Sequence, residues 1–284
     1  MSNKFDELPM VGLGTFKLRA NNGNQDVVYS VLNTAFRAGY RLIDTAACYR
    51  NEKDIGDALG KLYLQHGISR SDVFITSKVP PKDLSYDGAI ACCMQSISDL
   101  QCTYLDCCLL HWPGRAKLKP GDPEHAGFRK EAWRALEELK LKGLVRNIGV
   151  SNYTIGHLKE LLEYANVKPF VNQVEFHVHL HQKELLQFCN DNDIRLQSYS
   201  TLGTGMLVDN EIVVGLSNKY EVTPAQMLLR WAVQQGVGVI PKSTNDEHIV
   251  KNFQLDFDIE DVDMDRLSEM NLDKHYCWDP YLIC

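Results

Sequence analysis

Asp44, Lys78, His111, Ser151, Gln173, Tyr199 and Lys242 each follow or close a short apolar run of strand type. Polar groups that fall one per strand end, over most of a chain, are what a parallel β/α barrel gives when its catalytic rim is drawn out in sequence. The pattern predicts a (β/α)8 TIM barrel with one active site at the C-terminal ends of the strands, assembled from distant segments.

The strand-like runs are Met10–Gly14, Tyr40–Asp44, Val73–Ser77, Leu105–Leu110, Val145–Val150, Phe170–Val174, Ile194–Tyr199 and Val237–Ile240. Their ends are spaced by roughly 25 to 42 residues, room each time for a helix and two loops. They are rich in Val, Ile and Leu without strict alternation, as strands buried on both faces should be. Between them run helical stripes. Val28, Val31, Leu32 and Ala35 are closed by Gly39, and Ile55, Ala58, Leu59 and Leu62 by Gly67. Ile90, Cys93, Met94 and Ile97 form a third stripe, Ala132, Leu136 and Leu139 a fourth closed by Gly143, and Leu158, Leu161, Leu162 and Ala165 a fifth. Thr223-Pro224 reads as a helix start, a hydroxyl cap followed by a first-turn proline. No linker, repeat or low-complexity tract divides residues 1–284, so a single barrel domain is expected.

With a net charge of −7 and a pI near 5.7, the chain has no nucleic-acid footprint. The short basic cluster Arg115, Lys117 and Lys119 sits beside turn residues and reads as solvated loop. No apolar stretch approaches the ~20 residues that span a bilayer, and the N-terminus has neither a leader's apolar core nor a myristoylation glycine. The nine cysteines include the adjacent pairs Cys92-Cys93 and Cys107-Cys108 but no Cys-x-x-Cys, so no zinc ribbon or thioredoxin-like site is signalled. Cys93 and Cys107, among apolar residues, read as small core hydrophobes. A cytoplasmic protein is expected.

Asp44 ends the second strand with Tyr49 in the loop beyond it, Lys78 ends the third and His111 the fourth. Neighbouring strands bring such ends within side-chain reach. Together they suit reduction of a carbonyl, because hydride addition leaves an alkoxide that needs a proton in the same event. A tyrosine hydroxyl is a weak acid near neutrality. A nearby ammonium lowers its pKa, and a carboxylate holds the ammonium. Asp44 would position Lys78, Lys78 tune Tyr49, Tyr49 give the proton, and His111 hydrogen-bond the substrate oxygen. Taken singly, the Asp is more often a helix cap and the His a satisfied core residue; four compatible groups on three consecutive strands outweigh that.

The chain resembles the aldo-keto reductase family in Gly12-Leu-Gly-Thr-Phe16, Ala38 to Glu52, Ile75-Thr-Ser-Lys78, Leu109-Leu-His-Trp-Pro113, Gly143 to Asn152, Asn172-Gln-Val-Glu175, Gln197 to Gly203 and Ile240-Pro-Lys-Ser243. The likeness runs in order over almost the whole chain. It implies the Asp-Tyr-Lys-His tetrad, an NADPH/NADP+ cofactor, a small-molecule carbonyl substrate and a monomer. Gly12-x-Gly14 alone is a weak cofactor signal and more often a tight strand exit. The resemblance assigns Gly14 and Thr15 to the nicotinamide floor, with Asp44 nearby. It assigns Ser151, Asn152 and Gln173 to the carboxamide, and Tyr199 to stacking under the ring. The backbone of Ser200, Leu202 and Gly203 would line the pyrophosphate, Lys242 and Ser243 would meet the 2′-phosphate, and Asn245 and Asn252 would lie on the adenosine side. The arginine usual after Lys242 is replaced by His248, and a usual acidic position is Lys251. An imidazole does not copy a bidentate guanidinium, so weaker discrimination against NADH is expected.

Phe16, where many relatives carry tryptophan, Tyr49, His111 and Trp112 suggest an aromatic-walled mouth for an apolar carbonyl. Short segments at Gly114–Phe128, after Gly203 and beyond Trp278 imply an open pocket, with small aldehydes and α-dicarbonyls as substrates and weak or absent steroid turnover. Two other readings stand beside this one. A cofactor-holding regulatory subunit of the same fold, like the potassium-channel β-subunits, can keep the four residues, though no extended N-terminal segment is present to engage a partner. A metal-dependent hydrolase barrel is prompted by His177-Val-His179-Leu-His181, whose alternate histidines would share one face of an extended segment. That run follows the sixth strand, lacks acidic partners at ligand spacing, and reads better as a loop leading into a helix at Gln182, so no metal is expected.

Overall fold

A computed structural model describes residues 8–19 and 26–284. Eight strands form one parallel sheet in chain order: β1 (Leu13–Gly14), β2 (Leu42–Asp44), β3 (Phe74–Val79), β4 (Leu105–Leu110), β5 (Val145–Ser151), β6 (Val171–Glu175), β7 (Arg195–Tyr199) and β8 (Gly238–Val239). Between and after them lie α1 (Asp26–Ala38), α2 (Glu52–His66), α3 (Tyr86–Asp99), α4 (Glu124–Leu141), α5 (Ile155–Tyr164), α6 (Lys183–Asp191), α7 (Glu211–Lys219), α8 (Pro224–Gln234), α9 (Asp246–Phe253) and α10 (Asp261–Ser268). Among the described residues no helix is long and apolar enough to cross a membrane.

All eight expected strands form, but β1 and β8 keep only two residues each. Their neighbours are still engaged. Gly12 N–H donates to Val239 O at 2.8 Å, Val239 N–H to Met10 O at 2.7 Å and Gly14 N–H to Pro241 O at 3.1 Å, and Val11 bridges Val239 in parallel. Pro241 has no N–H with which to continue the ladder. At this seam Gly14 packs so closely that a Cβ would stand 2.6 Å from Ile240 O.

Strand alternation divides the core in two. Leu42, Phe74, Cys107, Leu109, Val171 and Ile240 cluster on one face of the sheet. Ile43, Ile75, Cys108 and Leu110, one residue out of phase, pack with the helices on the other. Asp44, Lys78, His111 and Gln173 share the parity of the first set, and so stand on the inner face beyond an apolar floor.

The helices begin and end much as their sequence predicts. Thr223 caps α8, accepting from Gln226 N–H, with Pro224 in the first turn. Gly67 closes α2 at φ 60°, a left-handed conformation that suits glycine. Met94, expected in the α3 stripe, is exposed, while Cys93 and Ile97 on the same helix are buried. Cys93 and Cys107 are core residues as expected, Cys93 Sγ lying 3.1 Å from Cys108 Sγ.

Candidate active site

The inner-face residues surround a cleft of about 700 Å³, within the range usual for small-molecule sites. At its base the buried Lys78 Nζ donates to Asp44 Oδ1 at 2.6 Å and to Thr45 O at 2.8 Å. Asp44 Oδ2 accepts from Gln173 Nε2 at 2.7 Å. The ammonium stands 5.1 Å from the centre of the Tyr49 ring, which meets the His111 ring edge-on at 5.8 Å. A short 3-10 turn (residues 47–49), directly after β2, carries Tyr49 to this position.

Electrostatics here differ from the sequence expectation in one respect. Burial dominates the Tyr49 phenol and pushes its pKa up to about 12, with Lys78 pulling the other way. The ammonium thus limits a rise rather than producing a fall. Burial disfavours the Lys78 charge too, but Asp44 and Tyr49 more than offset it, and its pKa is raised. His111 is lowered to about 3, by burial first and then by Lys78. Around neutral pH the site therefore presents a protonated phenol, a neutral imidazole and a fixed cation.

Along the wall, Ser151 Oγ donates to Gln173 O at 2.7 Å. Asn152 Nδ2 donates to His111 O at 2.9 Å and to Ser151 Oγ at 3.1 Å, while its Oδ1 accepts from Tyr199 Oη at 2.7 Å. Gln173 Nε2 donates to Gln197 Oε1 at 2.8 Å as well as to Asp44. With both Gln173 N–H bonds engaged, its oxygen is the group left to receive an amide N–H. Gly14, Thr15, Phe16, Trp112, Tyr199, Ser200, Leu202 and Lys242 also line the cleft. Lys17, Asn152, Ser200 and Thr204 hold positive φ of 62°, 65°, 52° and 56° there. Non-glycine residues in this region store strain that a fold retains where geometry matters.

Of the sequence-predicted residues, Lys78 supports the cleft from beneath, while Gly203, Ser243, Asn245, His248 and Asn252 are outside its lining. Asn245 is the N-cap of α9, accepting from His248 N–H at 3.0 Å, and Lys251 pairs with Glu247 at 2.7 Å. Sequence reasoning missed Lys17, Cys48, Thr201, Thr204, Gly205, Ile240, Pro241 and Cys277 as lining residues. Most adjoin residues it named; Cys277 comes from the far end of the chain and had no signal. Cys48 Sγ lies 3.5 Å from His111 Nδ1.

The histidine run does not converge. His177 and Leu180 exchange backbone hydrogen bonds of 3.2 and 2.7 Å, so the chain turns there instead of running extended. Among the described residues no cluster of three or more His, Cys, Asp or Glu side chains is arranged to hold a metal ion.

The family model described as "Aldo/keto reductase family" matches residues 10–272. A glyoxal reductase of Bacillus subtilis (strain 168) is 42% identical over 269 residues, covering 94% of this chain and 91% of the relative. An aldo-keto reductase crystallised with NADPH superposes with TM-score 0.86 at 30% identity, over 96% of this chain and 87% of that one. A Bombyx mori aldo-keto reductase in complex with NADP does so with TM-score 0.86 at 27% identity, over 95% and 91%. The chain belongs to the aldo/keto reductase family and is an oxidoreductase.

Proposed function

We propose that this protein is a single closed (β/α)8 barrel, sealed where β1 meets β8, that reduces small aldehydes and dicarbonyls to alcohols with NADPH. The observation that carries the reading is the buried Asp44–Lys78 pair beneath Tyr49 and His111 at the base of the cleft.

The donor set fits the cofactor. Ser151, Asn152 and Gln173 offer a hydrogen-bonded rail for a carboxamide, Tyr199 a flat face, and Gly14 a floor without a Cβ. The exposed Lys242 offers a cation for phosphate, and Ser243, Asn245, His248 and Asn252 follow it toward and into α9. When bound, NADPH supplies hydride to the carbonyl carbon. The chain supplies the proton and the polarisation. Neutral His111 donates a hydrogen bond to the carbonyl oxygen. Tyr49 gives that oxygen its proton, and Lys78, held by Asp44, stabilises the phenolate left behind. Phe16 and Trp112 form the apolar mouth.

A glyoxal reductase among the relatives favours dicarbonyl substrates over a regulatory subunit with little turnover. The test is consumption of NADPH, and separately of NADH, across a panel of aldehydes, dicarbonyls and a steroid ketone. Turnover is expected on the small carbonyls, with NADPH preferred only modestly given His248. Tyr49→Phe should lower kcat by about 10²- to 10⁴-fold, the range for a general acid, with cofactor affinity kept. No turnover by the unsubstituted chain, or a Tyr49→Phe variant of normal kcat, overturns the reading.

A further inference from the structure

The segment from Asn271 to Trp278 is held on the residues that follow β6. Glu175, the last residue of β6, is buried, and both of its oxygens are engaged. Oε1 accepts from His177 Nε2 at 3.0 Å and from the backbone N–H of Tyr276 at 2.7 Å. Oε2 meets His275 Nδ1 at 3.0 Å, and Cys277 N–H lies 3.2 Å from each oxygen. His179 O accepts from Leu272 N–H at 3.1 Å and Lys274 N–H at 3.0 Å, and its Nδ1 meets Tyr276 Oη at 2.9 Å. His181 N–H donates to Asn271 Oδ1 at 3.0 Å. The alternate histidines thus serve as a rail for a distant part of the chain.

What this rail delivers is a wall of the cleft. Cys277 lines it, with Sγ 3.4 Å from Ser200 Oγ. Trp278 packs edge-on against Trp112 at 4.7 Å, and Trp112 follows His111 in the lining. Two successive backbone amides ending on one buried carboxylate fix where those side chains emerge. A carboxylate is a stronger acceptor than a neutral amide for such N–H groups. Removing its charge leaves the amides with a weaker partner.

We infer that Glu175 and the histidine run seat segment 271–278 against the cleft, with Cys277 in its lining and Trp278 packed against the mouth residue Trp112, so that Glu175 and His275 are positioning residues for selection between large and small carbonyl substrates. The inference rests on the carbonyl-reductase reading for its kinetic consequence, though the seat itself does not. A carbonyl bearing a ring would reach Trp112, which Trp278 packs against, whereas a two-carbon dicarbonyl would be held at Tyr49 and His111 alone.

Glu175→Gln and His275→Ala test this, the second serving where the first does not fold. KM and kcat are measured for benzaldehyde and for glyoxal, together with acrylamide quenching of tryptophan emission in the cofactor-free protein. Trp133 and Trp231 are fully buried, so added quenching reports on the Trp112–Trp278 pair. The expected result is a KM for benzaldehyde raised about tenfold, equivalent to one 1.4 kcal/mol step. KM for glyoxal and kcat for glyoxal should change less than about twofold, and quenching should rise in both variants. Unchanged quenching, or equal loss on both substrates, overturns the seat. If the unsubstituted chain turns over neither carbonyl, the reductase reading fails, and the quenching arm alone decides the seat.

Discussion

Tyr49 and His111 are shifted in opposite directions, and together those shifts suit the proposed roles of proton donor and neutral hydrogen-bond donor. A phenol raised to about 12 keeps its proton throughout the neutral range, and an imidazole lowered to about 3 stays uncharged there. In the proposed reaction Lys78 would matter less for the resting acidity of Tyr49 than for the charge left when the proton departs. Its ammonium is already fixed by Asp44 Oδ1 at 2.6 Å, so that step would need no reorganisation of the pair. Reduction by the saturated enzyme should therefore show a kcat that is flat from about pH 5 to 9, since neither group titrates in that window. The pH–rate profile checks this; a fall in kcat as pH drops through about 6.5, the ordinary histidine value, would show that His111 charges in the working enzyme.

Strand parity explains both what the sequence disclosed and what it concealed. Asp44, Lys78, His111 and Gln173 were legible because each ends an apolar run and shares the phase of residues such as Leu42, Phe74, Leu109 and Val171. Helices α1 to α5 and α8 were legible from their stripes or caps. The short helices α7, α9 and α10, of nine, eight and eight residues, carry too few turns for a stripe to stand out. Cys277 was hidden for another reason: it reaches the cleft through Glu175, a contact across 102 residues that no local pattern encodes. The histidine run was legible as a loop leading into α6; alternation predicts a shared face only while the chain stays extended, and residues 177–180 turn. At the β1–β8 seam, Gly14→Ala would drive a Cβ against a backbone oxygen 2.6 Å away. It should cost about 1–3 kcal/mol, as overpacking does. Chemical denaturation should show that loss, accompanied by weaker cofactor binding; an alanine variant of full stability would mean that the seam opens without strain.

Acid stability follows from where the whole molecule buries its histidines. His111 and His157 are lowered to about 3 and about 4, burial being the first cause in each case. The unfolded chain takes up protons at these residues below the ordinary histidine pKa while the folded chain resists them, so stability falls as pH drops. At pH 5 the loss is at most about 2 kcal/mol per histidine. Glu175, its pKa lowered despite burial by its partners, acts in the same sense at lower pH. Glu52, raised by burial, acts in the opposite sense. Tm should fall by several degrees from pH 7 to 5 under calorimetry; a constant or rising Tm would contradict the burial of these rings.

The seam has a further consequence for biosynthesis. Gly14 leans on Ile240 and Lys242, residues synthesised more than two hundred positions later. A nascent chain that has already made Asp44, Tyr49, Lys78 and His111 still lacks the residues against which Gly12 and Gly14 pack. The packing around Gly14 is therefore completed only after residues 240–242 have been made.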